Sequence, residues 1–150
     1  MSKPAPEWDF PRPHWVTVQV TGADIDAYGH VNNSIYLSWL DCAAWSHSAA
    51  LGVPLEHCLR LRRGMAAHRT EIDYLRAAVL DDEIQVATWI TASDGKLRVE
   101  RHFQLRRSAE GRYETVARAR TQYVCIHLDS GRAVRMPEVF SRAYGPPQKP

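Results

Sequence analysis

The alternation of apolar and polar residues predicts one strand, one long helix and then a series of strands. Between His14 and Val20, valine alternates with Trp, Thr and Gln at a period of two, which is typical of a strand with one buried face. From Ile35 to Leu51 apolar residues recur near the helical period, and Gly52 followed by Pro54 ends the pattern. This helix has so few polar groups that we expect it to be buried nearly all round.

The rest of the chain predicts a short helix and four further strands, joined by turns. Pro54–Leu61 favours the short helix, and turn sequences such as Ser93-Asp94-Gly95 indicate antiparallel hairpins. Only a sheet made of these strands is large enough to bury the long helix, so we predict an α+β fold in which the sheet wraps around it. The predicted strands lie at residues 65–76, 84–91, 97–106 and 113–128.

Length, charge and the chain ends narrow the class of protein. The 150 residues suffice for one domain, expected at 14–144, with proline-rich, extended termini at 1–13 and 145–150. The formal net charge of +2 gives no strong field that would attract nucleic acid or an anionic membrane. Neither a membrane span nor a signal peptide is evident in the sequence, so we predict a cytoplasmic protein with no nucleic-acid partner.

Cysteine and histidine spacing bears on disulfides and metals. Cys42, Cys58 and Cys125 lie far apart and form no CxxC pair, so we expect them to be reduced and mostly buried. The histidines show neither HxH nor HExxH spacing. We therefore predict no metal and no tightly bound cofactor.

The segment between the first strand and the long helix is polar, and residues 24–41 spell DIDAYGHVNNSIYLSWLD. This motif, together with the order of elements over residues 14–128, resembles the hotdog-fold acyl-CoA thioesterases of the 4-hydroxybenzoyl-CoA thioesterase type. The resemblance implies a five-stranded antiparallel sheet around one central helix. It also implies an acyl-CoA substrate, cleaved to a free carboxylic acid and CoA, and self-association as a dimer or tetramer with active sites at the dimer interface.

The same resemblance assigns the chemistry to the loop and the helix start. Asp26 matches the family's catalytic aspartate and would act either as general base to a water or as nucleophile, and the sequence leaves both routes open. Asn32, Asn33 or Ser34 is expected to cap the helix. The first backbone N–H groups of a helix are unpaired and lie at the positive end of its dipole, so we predict the Asn33 N–H as oxyanion donor. His30 could orient the carboxylate or the water, or donate to the leaving thiolate.

Four further residues are predicted to support the site or to bind substrate. Gly29 would supply a turn or a close backbone approach, and Asn32 would hold the loop or touch substrate. Tyr36 would line the acyl pocket. Asp41 is a second carboxylate, placed where a charge in an apolar helix is costly unless paired, and we expect a supporting or interface role for it.

The sequence leaves open the kind of acyl group, the carrier of that group, and whether the domain cleaves the thioester or only binds it. The 4-hydroxybenzoyl branch carries a tyrosine at the position of Asn33, so His30-Val-Asn-Asn33 favours a different, aliphatic acyl group. Acyl carrier protein could replace CoA, or the domain could bind acyl-CoA without cleaving it. Basic clusters that could hold the CoA phosphates lie at Arg60, Arg62 and Arg63, at Arg106 and Arg107, and at Arg118 and Arg120.

Overall fold

The computed structural model describes residues 8–145, which form one sheet, one long helix and shorter helices. The helices are α1 at Asn33–Ala50, α2 at Leu55–Leu61 and α3 at Glu138–Ala143, with a 3₁₀ turn at Gly22–Asp24. The strands are β1 at His14–Gln19, β2 at Arg63–Tyr74, β3 at Glu83–Ser93, β4 at Arg98–Ala109 and β5 at Arg112–His127. All predicted strands and both predicted helices are present, whereas the sequence pattern does not predict α3.

The five strands form a single antiparallel sheet in the order β1-β3-β4-β5-β2. The predicted arrangement of a five-stranded antiparallel sheet on one long helix is therefore confirmed. β1 and β2 are the edge strands, and β2 pairs with β5 alone among the described residues. One edge of the sheet is thus a strand of 12 residues, and no other strand within residues 8–145 pairs with its outer side.

One face of α1 and the facing side chains of the sheet form the main core. Tyr36, Leu40 and Ala43 point from α1 into this core and are at most 4% exposed. Full burial of a side chain the size of Leu or Phe contributes about 1.5–3 kcal/mol to folding. The sheet contributes Ile84, Val86, Phe103, Leu105 and Val116 to the same cluster.

The expectation that α1 is buried nearly all round is wrong for the single chain. One sheet covers only one side of the helix, and the other side carries exposed Leu37, Asp41, Cys42 and Trp45, with Leu37 49% and Trp45 42% exposed. The expected burial of cysteine is correspondingly only partly right. Cys58 and Cys125 are buried, Cys42 is exposed, and all three are free thiols.

The residues before β1 pack on the sheet face turned away from α1. The rings of Trp8 and Phe10 lie 6.2 and 5.3 Å from the ring of Trp89, and the Trp89 indole N–H donates to the Pro11 carbonyl at 3.0 Å. The Asp9 carboxylate accepts from Arg118 at 2.7 Å. The packed part of the chain thus begins before the predicted residue 14; the earlier part of the predicted N-terminal tail, residues 1–7, and residues 146–150 lie outside the described residues.

The C-terminal helix α3 closes a second, smaller core. Phe140 and Tyr144 are at most 5% exposed and pack with Val53, Ile90 and Cys125. Pro137 precedes the helix at its N-cap, a position where the missing N–H of proline costs no helical bond. This second core lies against the C-terminal half of α1. There the hydroxyls of Ser48 and Tyr144 share a hydrogen bond of 2.9 Å.

Candidate active site

Backbone hydrogen bonds fix the loop between β1 and α1. The Asp26 N–H donates to the His30 carbonyl at 2.8 Å, and the Gly29 N–H donates to the Asp26 carbonyl at 3.0 Å. Gly29 has φ +76°, and a Cβ at this position would meet no atom within 4 Å. Of the two explanations for this glycine, the turn conformation is the one that the chain itself requires.

The helix start is capped as predicted, by Asn32. Its Oδ1 accepts the Ser34 N–H at 2.9 Å and the Ser34 hydroxyl at 2.8 Å, while its own N–H donates to the Asp24 carbonyl at 2.8 Å. These bonds favour the loop-holding alternative for Asn32. The N–H of Asn33, the first residue of α1, has no hydrogen-bond acceptor within residues 8–145.

The Asp26 carboxylate is held at one oxygen only. Its Oδ1 accepts the Tyr28 N–H at 2.9 Å, and the side chain is half-buried. In the part of the chain that the structure describes, Asp26 forms no ion pair and its Oδ2 has no donor. Asp24, by contrast, is used inside the loop, because its Oδ2 accepts the Thr21 N–H at 2.9 Å. Within residues 8–145 each of these aspartates has one carboxylate oxygen without a donor, and they differ in position, because Asp26 lines the open cleft over this loop and Asp24 does not.

An open cleft of about 630 Å³, measured with its solvent-exposed space, lies over the loop and the helix start. Four of the predicted site residues line it: Asp26, His30, Asn33 and Tyr36. Gly29 and Asn32 belong to the same loop but not to the cleft wall. Asp41 is not brought to the cleft, since it lies about 12 Å further along the helix at 1.5 Å per residue. The costly burial expected for its charge is absent, because Asp41 is exposed.

The opposite wall is formed by the end of β2 and the segment that follows it, which the sequence analysis does not assign to the site. Tyr74, Leu75, Arg76 and Ala77 line the cleft from this side. The Tyr74 hydroxyl donates to the Asn33 carbonyl at 3.1 Å, so the wall is bonded to the first residue of α1. Only tertiary contact could reveal this role, because the wall and the loop are more than 40 residues apart.

Tyr36 connects the helix to this wall. It is 2% exposed, its hydroxyl accepts the Ala78 N–H at 3.2 Å, and its ring meets the Tyr74 ring edge-on at 5.0 Å. Burial raises the pKa of Tyr36, so its hydroxyl stays protonated at neutral pH. The Ala78 carbonyl in turn accepts the Val31 N–H at 2.9 Å. Tyr36 thus lies beside the loop and forms a structural bond that the sequence did not indicate, while its contact with an acyl group stays a prediction.

Arg107 stabilises the same wall through hydrogen bonds to its backbone and to neighbouring carboxylates. Its Nη1 donates to the Ala77 carbonyl and to Asp82, both at 2.9 Å, and its Nε donates to Glu114 at 3.3 Å. Its two carboxylate partners raise the pKa of Arg107, although burial opposes them. The basic cluster at 106–107 is thus engaged within the fold. Arg106 stacks on the rings of Trp8 and Tyr113 at 3.5 and 3.9 Å.

Most of the other predicted basic clusters also have acidic partners. Arg62 pairs with Asp129, Arg118 pairs with Asp9, and Arg120 pairs with both Glu71 and Glu100. The arginine that lines the cleft is Arg76, which pairs with Glu114 and has a side chain that is 60% exposed. Arg76 has no basic neighbour in the sequence, so clusters of basic residues do not indicate it.

Two further findings concern metals and membranes. Among the described residues, no group of three or more His, Cys, Asp or Glu side chains is placed to hold a metal ion. None of the helices within residues 8–145 has the length and apolar character needed to cross a membrane.

Comparison with known proteins gives consistent matches. Residues 20–144 match the family described as Thioesterase-like superfamily. The long-chain acyl-CoA thioesterase FadM of Escherichia coli (strain K12) is 29% identical over 126 residues, which cover 79% of this chain and 87% of that protein.

Solved structures with the same fold extend over nearly the whole chain. Slr0204, a 1,4-dihydroxy-2-naphthoyl-CoA thioesterase from Synechocystis, superposes with a TM-score of 0.77 at 22% identity, covering 89% of this chain and 96% of that one. SAV2348 from Staphylococcus aureus, solved in complex with CoA, superposes with a TM-score of 0.79 at 20% identity, covering 92% and 85%. At these identities the likeness shows a shared fold.

Proposed function

The chain belongs to the Thioesterase-like superfamily, and on that premise we propose that it hydrolyses acyl-CoA thioesters in the cleft at the start of α1. One observation carries the proposal. The same cleft is lined by Asp26 and Asn33; within residues 8–145, one Asp26 carboxylate oxygen has no donor and the Asn33 N–H has no acceptor. Thioester hydrolysis needs this pair of functions, one group that delivers oxygen to the carbonyl carbon and one that stabilises the oxyanion.

Asp26 starts the reaction by one of two routes. As general base, it takes a proton from a water that attacks the thioester carbonyl, after which the C–S bond breaks and CoA leaves as thiolate. As nucleophile, it attacks the carbonyl itself, releases the thiolate and forms a mixed anhydride that water then opens. A single turnover in ¹⁸O-water tests for the nucleophilic route. If water opens the anhydride at the Asp26 carbonyl, the first acid released carries no label and Asp26 acquires it, whereas the general-base route labels the acid in every turnover.

The start of α1 stabilises the charge that develops on the carbonyl oxygen. The Asn33 N–H lies at the positive end of an 18-residue helix, whose dipole favours a negative charge there. His30 is exposed and lines the same cleft, and in this proposal it donates a proton to the leaving thiolate. The Asn32 cap and the Tyr74 bond to the Asn33 carbonyl keep this N–H in position.

The acyl group is aliphatic and lies against Val31, Tyr36, Tyr74 and Leu75, which give the cleft apolar surface beside its polar loop. The relation to a long-chain acyl-CoA thioesterase supports this choice. Arg76 binds a CoA phosphate at the mouth of the cleft, because it is the arginine that lines the cleft and its side chain is largely exposed. The Arg60–Arg63 cluster is the next candidate for the phosphates.

Two copies of the chain pair through the free edge of β2. This strand offers 12 residues of edge, and exposed Leu37, Trp45, Leu55 and Leu59 lie on the helices beside it, at 42–51% exposure. A long open edge next to exposed apolar side chains is unusual for a protein that acts alone. Sedimentation should give at least twice the chain mass of 17.1 kDa, and a monomer at micromolar concentration would contradict the pairing.

The deciding experiment measures thiol release from short, medium, long and aromatic acyl-CoAs by the wild-type protein and by Asp26→Asn. We expect hydrolysis of aliphatic acyl-CoA and a loss of about 10²–10⁴-fold in the variant. Asp81→Asn is the matched control, since Asp81 is exposed in a turn at φ +69°, a conformation that asparagine also tolerates. It should retain wild-type activity.

Other outcomes would redirect the proposal. Equal activity in wild type and Asp26→Asn would overturn the role of Asp26. Release from acyl carrier protein but not from CoA would replace the substrate class. Binding of acyl-CoA without any thiol release would indicate a binding module.

A further inference from the structure

A buried arginine lies under the C-terminal half of α1, far from the cleft. Arg101, on β4, is 3% exposed and faces the helix between Val99 and Phe103. Its Nη1 donates to His47 Nδ1 at 2.7 Å, and its Nη2 donates to the Ser48 hydroxyl at 3.0 Å. Nη1 also donates to the Thr88 hydroxyl at 3.5 Å, and the guanidinium carbon lies 5.8 Å from the Tyr144 ring. Within residues 8–145 Arg101 has no carboxylate partner.

The groups around Arg101 are neutral. Burial, the charge of Arg101 and the neighbouring His14 lower the pKa of His47 to about 3, so His47 accepts the bond as a neutral imidazole. Burial raises the pKa of Tyr123 and of Tyr144, so both phenols remain protonated. A cation removed from water is costly without an opposite charge, and the described residues in contact with Arg101 offer neutral hydrogen-bond acceptors and the face of the Tyr144 ring.

The arginine forms part of the wall of a cavity. This cavity, about 620 Å³ including the space open to solvent, lies between α1, α2 and strands β2, β4 and β5. Ala44, Cys58, Met65 and Val99 make its wall mainly apolar, and the hydroxyls of Ser48, Tyr123 and Tyr144 lie near the guanidinium. The cavity has a single carboxylate in its wall, Asp41, which is on the exposed side of α1 and forms no ion pair with Arg101.

We propose that this cavity binds a carboxylate attached to an apolar body, with Arg101 as the counter-ion. The planar guanidinium fork matches the two oxygens of a carboxylate, and the apolar wall matches an alkyl chain. A single negative charge balances the single buried cation, whereas a phosphate dianion would add a second charge near Asp41. About 22 Å of helix, at 1.5 Å per residue, separates Ser48 from Asn33, so the site is distinct from the cleft of the same chain.

Two sources of this carboxylate share the same chemistry. One is a free fatty acid, and the other is the far carboxylate of an acyl chain that is bound as its CoA thioester. The first does not depend on the proposed function, while the second rests on it. The two can be separated, because a free acid binds without turnover and a dicarboxylic acyl-CoA must be hydrolysed.

The test of the site is calorimetric titration of the purified protein with decanoate and with decanol. Wild type should bind decanoate at least tenfold more tightly than decanol, because a charge-assisted hydrogen bond forms only with the carboxylate. Arg101→Met should lose about 10–100-fold in decanoate affinity and leave decanol unchanged. Arg98→Met, an exposed arginine on the same strand, is the matched control and should bind as wild type.

A second variant keeps the proposal testable if Arg101→Met does not fold. Ala67→Phe fills the cavity from β2 and leaves Arg101 in place, so it should lose decanoate binding. Because Ala67 lies on the strand proposed to pair two copies, sedimentation and thermal melting must show wild-type assembly and stability for this variant. Equal affinity of wild type for decanoate and decanol would overturn the proposal. So would absence of binding, or an unchanged preference in Arg101→Met.

The kinetic arm identifies the source. If the ligand is the far end of a substrate, Arg101→Met should lower kcat/KM at least tenfold for a dicarboxylic acid mono-CoA thioester and leave the matched monocarboxylic acyl-CoA unchanged. If the ligand is a free acid, both thioesters should respond equally to the variant while the decanoate preference is still lost. Asp26→Asn should bind decanoate like wild type, so failure of the proposed catalysis leaves the calorimetric result interpretable.

Discussion

The two ends of α1 hold polar groups in opposite ways. At the N-terminal end, Asp26 and His30 lie in an open cleft, and the loop around them is fixed mainly by backbone hydrogen bonds. At the C-terminal end, Arg101, Ser48 and Tyr144 are at most 6% exposed and are held by side-chain bonds. Solvent can reach the carboxylate at the first end, while the second end holds a charge that is almost fully buried. Under the two proposals made above, the first end performs chemistry with water and the second end selects a charged ligand.

Removal of one backbone N–H at the N-terminal end of α1 should reduce activity strongly. Asn33→Pro deletes the proposed oxyanion donor at the first residue of α1, where proline is compatible with a helix. Asn32 has φ −58° and ψ 136°, a conformation that a following proline permits. We expect kcat to fall about 10²–10³-fold with a small change in thermal stability.

Asn33→Ala is the control for that variant, because it removes the side chain and keeps the N–H. Its kcat should stay within a few-fold of wild type in the same thiol-release assay. Equal losses in the two variants would assign the effect to the side chain and remove the backbone donor from the mechanism.

Hydrophobic periodicity accounts for most of the fold. The period of two in the strands, the helical period of α1 and the Asn32 cap are local properties, and the structure confirms the elements they predict. The motif at 24–41 correctly indicates the hotdog fold, the family and a thioester hydrolase. Which side of α1 is exposed could not be predicted. Apolar residues occur on every side of the helix, so the sequence does not mark one face as the buried one.

The walls of the site depend on long-range contacts that a local pattern does not contain. Arg107 was grouped with Arg106 as a basic cluster, but its partners Asp82 and Glu114 come from other segments and turn it into a support for the cleft. Arg101 did carry a local signal. It occupies a position in β4 that shares its phase with buried Val99 and Phe103, so an arginine there interrupts an otherwise apolar face.

Acid should reduce the folding stability of the protein more through the buried C-terminal end of α1 than through the open N-terminal end. The pKa of His47 is about 3 in the folded protein and about 6.5 when unfolded, so the unfolded chain binds the extra proton first as pH falls. Stability should therefore decrease below pH 6.5, by about 1–2 kcal/mol on reaching pH 5. Urea unfolding of wild type and His47→Gln at several pH values measures this loss. The unfolding free energy of the variant should depend less steeply on pH.

His68→Gln serves as the control for loss of an imidazole, because His68 is exposed on β2. It should keep the wild-type dependence of unfolding free energy on pH. A wild-type slope in His47→Gln would show that other groups cause the loss of stability in acid.

One glycine stands near each end of α1, and the two should differ in their effect on catalysis but not on stability. Gly29 has φ +76° in the catalytic loop, and Gly52 has φ +92° just after the helix; a Cβ at either position meets no atom within 4 Å. Substitution by alanine should therefore cost about 1–2 kcal/mol in each case through backbone strain alone. Chemical unfolding should give similar losses for Gly29→Ala and Gly52→Ala. Only Gly29→Ala should also lower kcat, because its turn positions Asp26; equal kcat in the two variants would show that the loop tolerates a shift of its backbone without harm to the site.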